Sequence, residues 1–224
     1  MKHVSSVSVL ILIVSWFVVP LGRCNLESFA EGEEAYTVDF EKIEEGEVPA
    51  DFLVLEGEFA VKETEGNRVL ELPGQPLGTF TCLMGPAKTE NVSIEARFKC
   101  ERKKRRRPVF AVGLSGISGY RLEVNPARRA LELYREEVVE ASVPYRWKTG
   151  SWTHLKLQVL KSDSKSWKIE GKAWTENEEE PEDWAVSYQD GEEPLSGRPS
   201  IWGIPYSGKP IYFDDIKVES VPEP

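Results

Sequence analysis

The sequence predicts an all-β chain folded as two packed antiparallel sheets, and three observations carry that expectation. Apolar and polar residues alternate with period two over several stretches, most cleanly from Val92 to Lys99 and from Trp152 to Val159. Successive side chains leave a strand on opposite sides, so such alternation gives one buried and one wet face. About a dozen short stretches of this kind are separated by polar turns marked with Gly or Pro. No segment beyond the amino-terminal leader sustains a helical period, and no repeat of solenoid or propeller length is present. Many short strands at regular spacing read as a sandwich, and 224 residues suit one such domain.

The chain opens on a targeting segment. Lys2 and His3 form a short positive region, Val7 to Val19 is apolar, and Pro20 is followed by Leu-Gly-Arg-Cys. The apolar run is shorter than the ~20 residues of a membrane span and has the layout of a secretory signal. Cleavage after Cys24 leaves Gly22 and Cys24 as the small residues at the site. The alternative is a lipid-anchored Cys24, although Arg23 stands where such signals carry Gly or Ala. An uncleaved anchor is the third reading. The expected layout is a signal peptide over 1–24, a flexible lead-in over 25–35, the sandwich over 36–219 and a tail over 220–224. The expected location is secreted, periplasmic or at the cell surface.

Strands are expected at Tyr36 to Glu41, Phe52 to Leu55, Glu58 to Lys62, Arg68 to Leu72 and Thr79 to Met84. Then come Val92 to Lys99, Phe110 to Leu114, Gly119 to Asn125 and Ala130 to Arg135. In Trp152 to Val159 the residues Thr153, Leu155, Leu157 and Val159 face inward, with Trp152, His154, Lys156 and Gln158 outward. Trp167 to Trp174 alternates again, with Trp167 in the core. An acidic loop, Thr175 to Asp183, leads to short strands at Trp184 to Tyr188, Ile201 to Ile204 and Ile211 to Val218.

Without residues 1–24 the chain carries 26 basic and 38 acidic residues, a net charge of -12. An acidic chain has no general attraction for nucleic acid or an anionic membrane, so nucleic acid is excluded as a partner. No membrane span is expected in the mature chain. Cys82 and Cys100 are an even pair in an oxidising compartment. They read either as a disulfide, closing a loop of about 19 residues worth ~3 kcal/mol, or as two buried thiols.

Asp39 to Glu41, the stretch SIEARFK, GYRLEV, GSWTHLKL, WKIEGKAW and the closing IYFDDIKV together resemble the concanavalin A-like lectin/glucanase jelly roll. The nearest flavour is that of laminin-G-like and 3-keto-disaccharide-hydrolase-like domains of bacterial secreted proteins. The resemblance covers about residues 36 to 219 and implies two curved sheets with ligands on the concave face or rim loops. It does not give the function, because one fold hosts lectins, glycosidases and adhesion modules.

The chemistry is sparse. The E-x-D-x-x-E strand of the laminarinase-like branch is absent. Glu95 and Glu123 could converge from neighbouring strands as a carboxyl pair, or else pair with Arg97 and Arg121 across strands. His154 is the only histidine beyond the leader, and no nucleophile elbow surrounds a serine. Ligand spacing for zinc is missing. Asp39, Glu41, Asp214 and Asp215 fall on the first and last strands and offer hard oxygens for a structural calcium; the other reading is that they pin the closing strand by hydrogen bonds. The basic run Arg102 to Arg107 is either a solvated connection or a contact for polyanions such as acidic polysaccharide or lipid headgroups.

Aromatic faces stack on sugar rings. By alternation Trp152, His154 and Trp174 share a polar face, and Arg97, Arg121 and Glu123 are expected on the same one. These six residues are the expected ligand-binding set, no catalytic residue is assigned, and packing is the other reading of both tryptophans. Trp147, Trp184 and Trp202 are expected in the core or under loops. The expected function is a secreted or envelope module that binds carbohydrate or another envelope component without catalysis. The alternatives are a glycoside or 3-keto-glycoside hydrolase and a protein-interaction module.

Overall fold

A computed structural model of the chain describes residues 35–222. The signal peptide, its cleavage or lipidation at Cys24 and nearly all of the lead-in lie outside these residues. Strands follow in the order β1 (Tyr36–Val38), β2 (Leu53–Glu56), β3 (Ala60–Thr64), β4 (Asn67–Leu72), β5 (Phe80–Leu83), β6 (Val92–Cys100), β7 (Val109–Leu114) and β8 (Tyr120–Asn125). They continue as β9 (Ala130–Arg135), β10 (Val138–Pro144), β11 (Thr153–Asp163), β12 (Ser166–Thr175), β13 (Val186–Asp190), β14 (Ser200–Ile204) and β15 (Ile211–Ser220). No helix among the described residues is long and apolar enough to cross a membrane.

The expected two-sheet antiparallel sandwich is what forms. Sheet A has the order β13-β12-β11-β6-β15-β4-β3, with β1 added against β15. Sheet B has the order β10-β9-β8-β7-β14-β5-β2. The first and last strands are neighbours, with Tyr36 opposite Val218. The inner faces meet in one core, because each strand commits its apolar parity to it. Phe98 of sheet A stacks on Phe110 of sheet B with centroids 4.9 Å apart, and Phe213 meets Phe98 edge-on at 5.3 Å. Trp167 is buried as expected. Gly171 faces inward where a Cβ would lie 2.5 Å from Leu122 Cδ1, so the sheets approach closely there.

The differences from expectation have local causes. β1 stops at Val38 because Phe40 takes a left-handed φ of 59°, which ends strand pairing. β11 and β12 run to a turn at Asp163, whose Oδ1 accepts from Lys165 N at 2.9 Å. β10 was not expected: it is an edge strand, its valines are largely exposed, and a bulge between Val139 and Ala141 breaks its alternation. Cys82 and Cys100 are free thiols, which corrects the disulfide reading. They enter the core from different sheets, on β5 and β6. Burial pushes the Cys82 thiol up to about 12 and raises that of Cys100 as well.

Candidate functional site

The outer faces of the two sheets hold the polar residues, and the cross-strand register states who meets whom. On sheet A one row runs Trp174, His154, Arg97, Asp214. The next runs Lys172, Lys156, Glu95, Lys217. Trp174 stacks on His154 with centroids 4.9 Å apart and planes 11° from parallel, and is only 6% exposed. Arg97 donates from Nη2 to Asp214 at 2.6 Å, and its Nε lies 2.9 Å from Asp215. Its guanidinium also lies over the Trp152 ring. A bulge in β15, with Asp215 at φ 46°, turns both aspartates toward Arg97 before Ile216 returns to the core.

The rest of that face is paired too. His154 Nδ1 lies 3.3 Å from Glu95, and Lys156 Nζ lies 3.5 Å from it. Burial raises the Glu95 pKa, but the His154 bond and the Lys156 charge outweigh it and hold the carboxyl below its usual range. The acidic loop after β12 folds over this face. Glu180 reaches Lys156 at 3.1 Å and Lys172 at 2.8 Å, and Lys172 lies under Trp184. Sheet A thus pairs most of its aromatic and charged residues with one another, although Glu95, His154, Asp215 and Lys217 also border a cavity of about 820 Å³ beside β1.

The four carboxylates considered for calcium do not form a cage. Asp214 accepts from Arg97, Asn67 and the Asp215 amide. Glu41 accepts from Arg68 N at 3.2 Å, and Asp39 from Glu41 N at 3.2 Å. Among the described residues no three His, Cys, Asp or Glu converge. The positions facing Asp214 are taken by donors, so the residues do not fit a cation.

Arg121 and Glu123 are not on this face at all, which corrects the single six-residue surface. They belong to β8 in sheet B, on the other side of the sandwich. Alternation assigns a residue to the core or to the outside, but it does not say which of two outsides. The same fact separates Glu95 from Glu123, which lie on opposite sheets and cannot form a carboxyl pair. Glu123 does pair with Arg121, at 3.6 Å. Arg97 chooses the β15 aspartates and Glu176 over Glu95.

The outer face of sheet B forms a groove. One row across it runs Thr81, Trp202, Ala111, Glu123, Glu132, Ser142. The adjacent row runs Ser200, Gly113, Arg121, Tyr134. The small residues Ala111 and Gly113 in the middle leave the floor low. A Cβ on Gly113 would meet Ser200 Oγ at 2.4 Å, the atom that accepts from Trp202 Nε1 at 2.9 Å. Arg121 lies between two rings, 4.6 Å from the Tyr134 centroid and 4.9 Å from that of Trp202. Around them is a cavity of about 360 Å³, lined by Trp202, Arg121, Glu123, Ala111, Thr79 and Ile204 among others. Trp202 was expected in the core or under a loop; the outward parity of Trp202 against inward Ile201 was the available signal.

Two carboxyls stand opposite each other in this face. Glu123 and Glu132 are direct cross-strand partners, 7% and 5% exposed. Burial raises the Glu123 pKa against the pull of Arg121, and the Glu132 charge raises it further. Glu132 accepts from Arg128 Nη1 at 3.1 Å and from the Tyr134 hydroxyl at 3.0 Å. Burial and the neighbouring carboxyl therefore hold Glu123 above the usual carboxylate range, while Glu132 is supplied with donors.

No family profile and no curated protein matches the chain. Solved structures do. The carbohydrate-binding module CBM66 from Bacillus subtilis aligns at a TM-score of 0.53 and 12% identity, over 76% of this chain and 96% of that one. A protein of unknown function with a galectin-like fold, also from Bacillus subtilis, aligns at 0.56 and 11%, over 78% and 91%. The exoplasmic/lumenal domain of VIP36, in a form bound to Ca2+ and Man3GlcNAc, aligns at 0.53 and 8%, over 80% and 86%. At these identities the similarity is one of fold: the chain shares the two-sheet antiparallel β-sandwich of these structures.

Proposed function

We propose that the chain is a carbohydrate-binding module of a secreted or cell-envelope protein, and that it takes its glycan in the sheet B groove. The observation that carries this reading is the groove itself: a concave polar surface with an aromatic wall at Trp202 and a fixed cation and carboxyl at Arg121 and Glu123. An indole face offers stacking to the C–H face of a pyranose, and convergent polar groups fix ring orientation. Pinning Arg121 between two rings prepares its donors before ligand arrives, which reduces the ordering cost of binding. The fold is shared with structures named as carbohydrate-binding and carbohydrate-recognition domains, which supports the reading. The leader motif, read from sequence, supports the location.

The test is binding of a neutral glycan panel to the intact chain and to Trp202→Ala. Binding lost in that variant with the fold kept supports the groove. Undiminished binding there, with loss in Trp174→Ala, moves the site to sheet A and rejects it.

A second reading is glycoside hydrolysis, in line with the 3-keto-disaccharide-hydrolase-like resemblance. It is favoured by the Glu123–Glu132 pair. Directly opposed residues put their Cβ atoms ~4.5–5.5 Å apart, compatible with the ~5–5.5 Å carboxyl separation of retaining enzymes. Glu123, raised by burial above the usual carboxylate range, is the member of the pair shifted in the direction a general acid needs. Binding ranks first because Glu132 is sequestered by Arg128 and Tyr134 and does not line the groove. Release of reducing sugar that disappears in Glu123→Gln would reverse the ranking.

A further inference from the structure

At the end of sheet B where β7 begins, β8 ends, β9 begins and β10 ends, three connections meet. The first is the basic run Arg102 to Arg107, which forms a tight hairpin with reciprocal bonds between Lys103 and Arg106 of 3.1 and 3.0 Å. The second is the β8–β9 turn, where Arg129 takes a φ of 58°. The third is the segment after β10 that carries Tyr145, Arg146 and Trp147. They are bonded to one another: Tyr145 N donates to Arg129 O at 2.8 Å, Gly150 N to Cys100 O at 2.8 Å, and Arg102 N to Thr149 Oγ1 at 2.9 Å. A cleft of about 640 Å³ lies between them.

Four arginines line that cleft: Arg102, Arg107, Arg129 and Arg146. None forms an ion pair among the described residues, although acidic residues outnumber basic ones in the chain. Elsewhere several arginines have carboxylate partners: Arg97 has two aspartates, Arg128 has Glu132 and Arg135 has Asp190 and Glu192, while Arg68 and Arg198 donate to backbone carbonyls. Gathering four like charges costs free energy unless an anion joins them. The cleft also contains Pro126, Tyr145 and Trp147, an apolar and aromatic lining for a ring. Guanidinium forks match carboxylate and sulfate oxygens in bidentate geometry.

We infer that this cleft is a second glycan site, specific for the carboxylate or sulfate groups of an acidic polysaccharide. Its chemistry separates it from a simple anion patch, since aromatic lining and arginine rim together suit a charged sugar unit. The net negative charge of the remaining surface disfavours extended contact with duplex nucleic acid or an anionic bilayer. The site stands independently of the sheet B groove, which has its own lining and only one arginine.

The test uses the intact chain at about 0.15 M ionic strength. Calorimetry is run with sulfated heparin-derived and carboxylated galacturonate oligosaccharides, and with neutral oligosaccharides of the same length. The expected result is binding of at least one acidic series, weakened about tenfold or more by the double reversal Arg129→Glu/Arg146→Glu. Both residues are exposed, so folding is preserved and is checked by the melting temperature. Reversing Lys104 and Arg105 at the hairpin tip, outside the cleft, is expected to weaken binding much less. Trp202→Ala is expected to leave acidic binding intact, so failure of the groove reading and failure of this one are distinguishable. Absence of acidic binding, equal loss from tip and cleft reversals, or tighter binding of duplex DNA or anionic phospholipid vesicles would each overturn the proposal.

Discussion

On the outside of sheet A, Arg97 is held by Asp214 and Asp215 and lies over Trp152. On the outside of sheet B, Arg121 lies between Tyr134 and Trp202, with Glu123 as its nearer carboxylate. The first arginine is consumed by neighbours and by the loop that supplies Glu176 and Glu180. The second borders an open groove. The carboxyls report the same contrast. Glu95 on sheet A is held below its usual range and Glu123 on sheet B above it. Identical residue types thus become a more densely ion-paired network on one face and an arginine held between two rings on the other, and for the two carboxyls the difference is whether cations or burial dominate.

The largest test of the contrast is Arg97→Ala. Asp214, 1% exposed, would lose its closest cation, and breaking a buried pair costs about 3–5 kcal/mol. Urea denaturation should show that loss, while glycan affinity of the folded fraction stays unchanged; a fall in affinity would make sheet A the binding face. Trp202→Ala should do the reverse, weakening neutral glycan binding about 10- to 100-fold, or ~1.4–2.8 kcal/mol, with a smaller change in the denaturation midpoint.

The two glutamates give a pH test with opposite signs. A lowered folded pKa means that Glu95 contributes stability above its unfolded value and loses it as pH falls through the folded one. Glu95→Gln should therefore lower the melting temperature at neutral pH, and the deficit should close on acidification. A raised folded pKa means that Glu123 binds its proton more tightly when folded, so stability falls as pH rises from the unfolded value through the folded one. Glu123→Gln should gain on the wild type over that rise. Melting curves that move in the same direction for both variants would erase the contrast. The smallest effect is expected at the half-exposed pair Lys217–Glu219, where Lys217→Ala should change stability by less than ~1 kcal/mol by denaturation.

How much of this was legible differs by level. Strand positions and the core parity of Leu155, Leu157, Phe98 and Trp167 follow from alternation alone. β10 escaped because Val138 and Val139 are exposed on an edge and the bulge after Val139 interrupts the parity that Ala141 and Val143 resume against the core. Within the candidate site, Arg121 and Glu123 were identified as outward, but Trp202 and Glu132 were missed. A short strand offers too few alternations to weigh Trp202, and the burial of Glu132 depends on Arg128 and Tyr134 covering it. Trp152, His154 and Trp174 were placed outward by alternation, yet the stacking of Trp174 on His154 and of Arg97 on Trp152 was invisible.

By itself the sequence determined the all-β class, the inward and outward parity of most strands and the acidic charge balance, because these depend on spacing of two and on composition. Only the tertiary structure decided which sheet each outward face belongs to, that Cys82 and Cys100 stay apart, and that Arg129 and Arg146 join the basic run in one cleft. Those outcomes depend on strand order, which brings together residues far apart in the chain and is set by how the whole core packs.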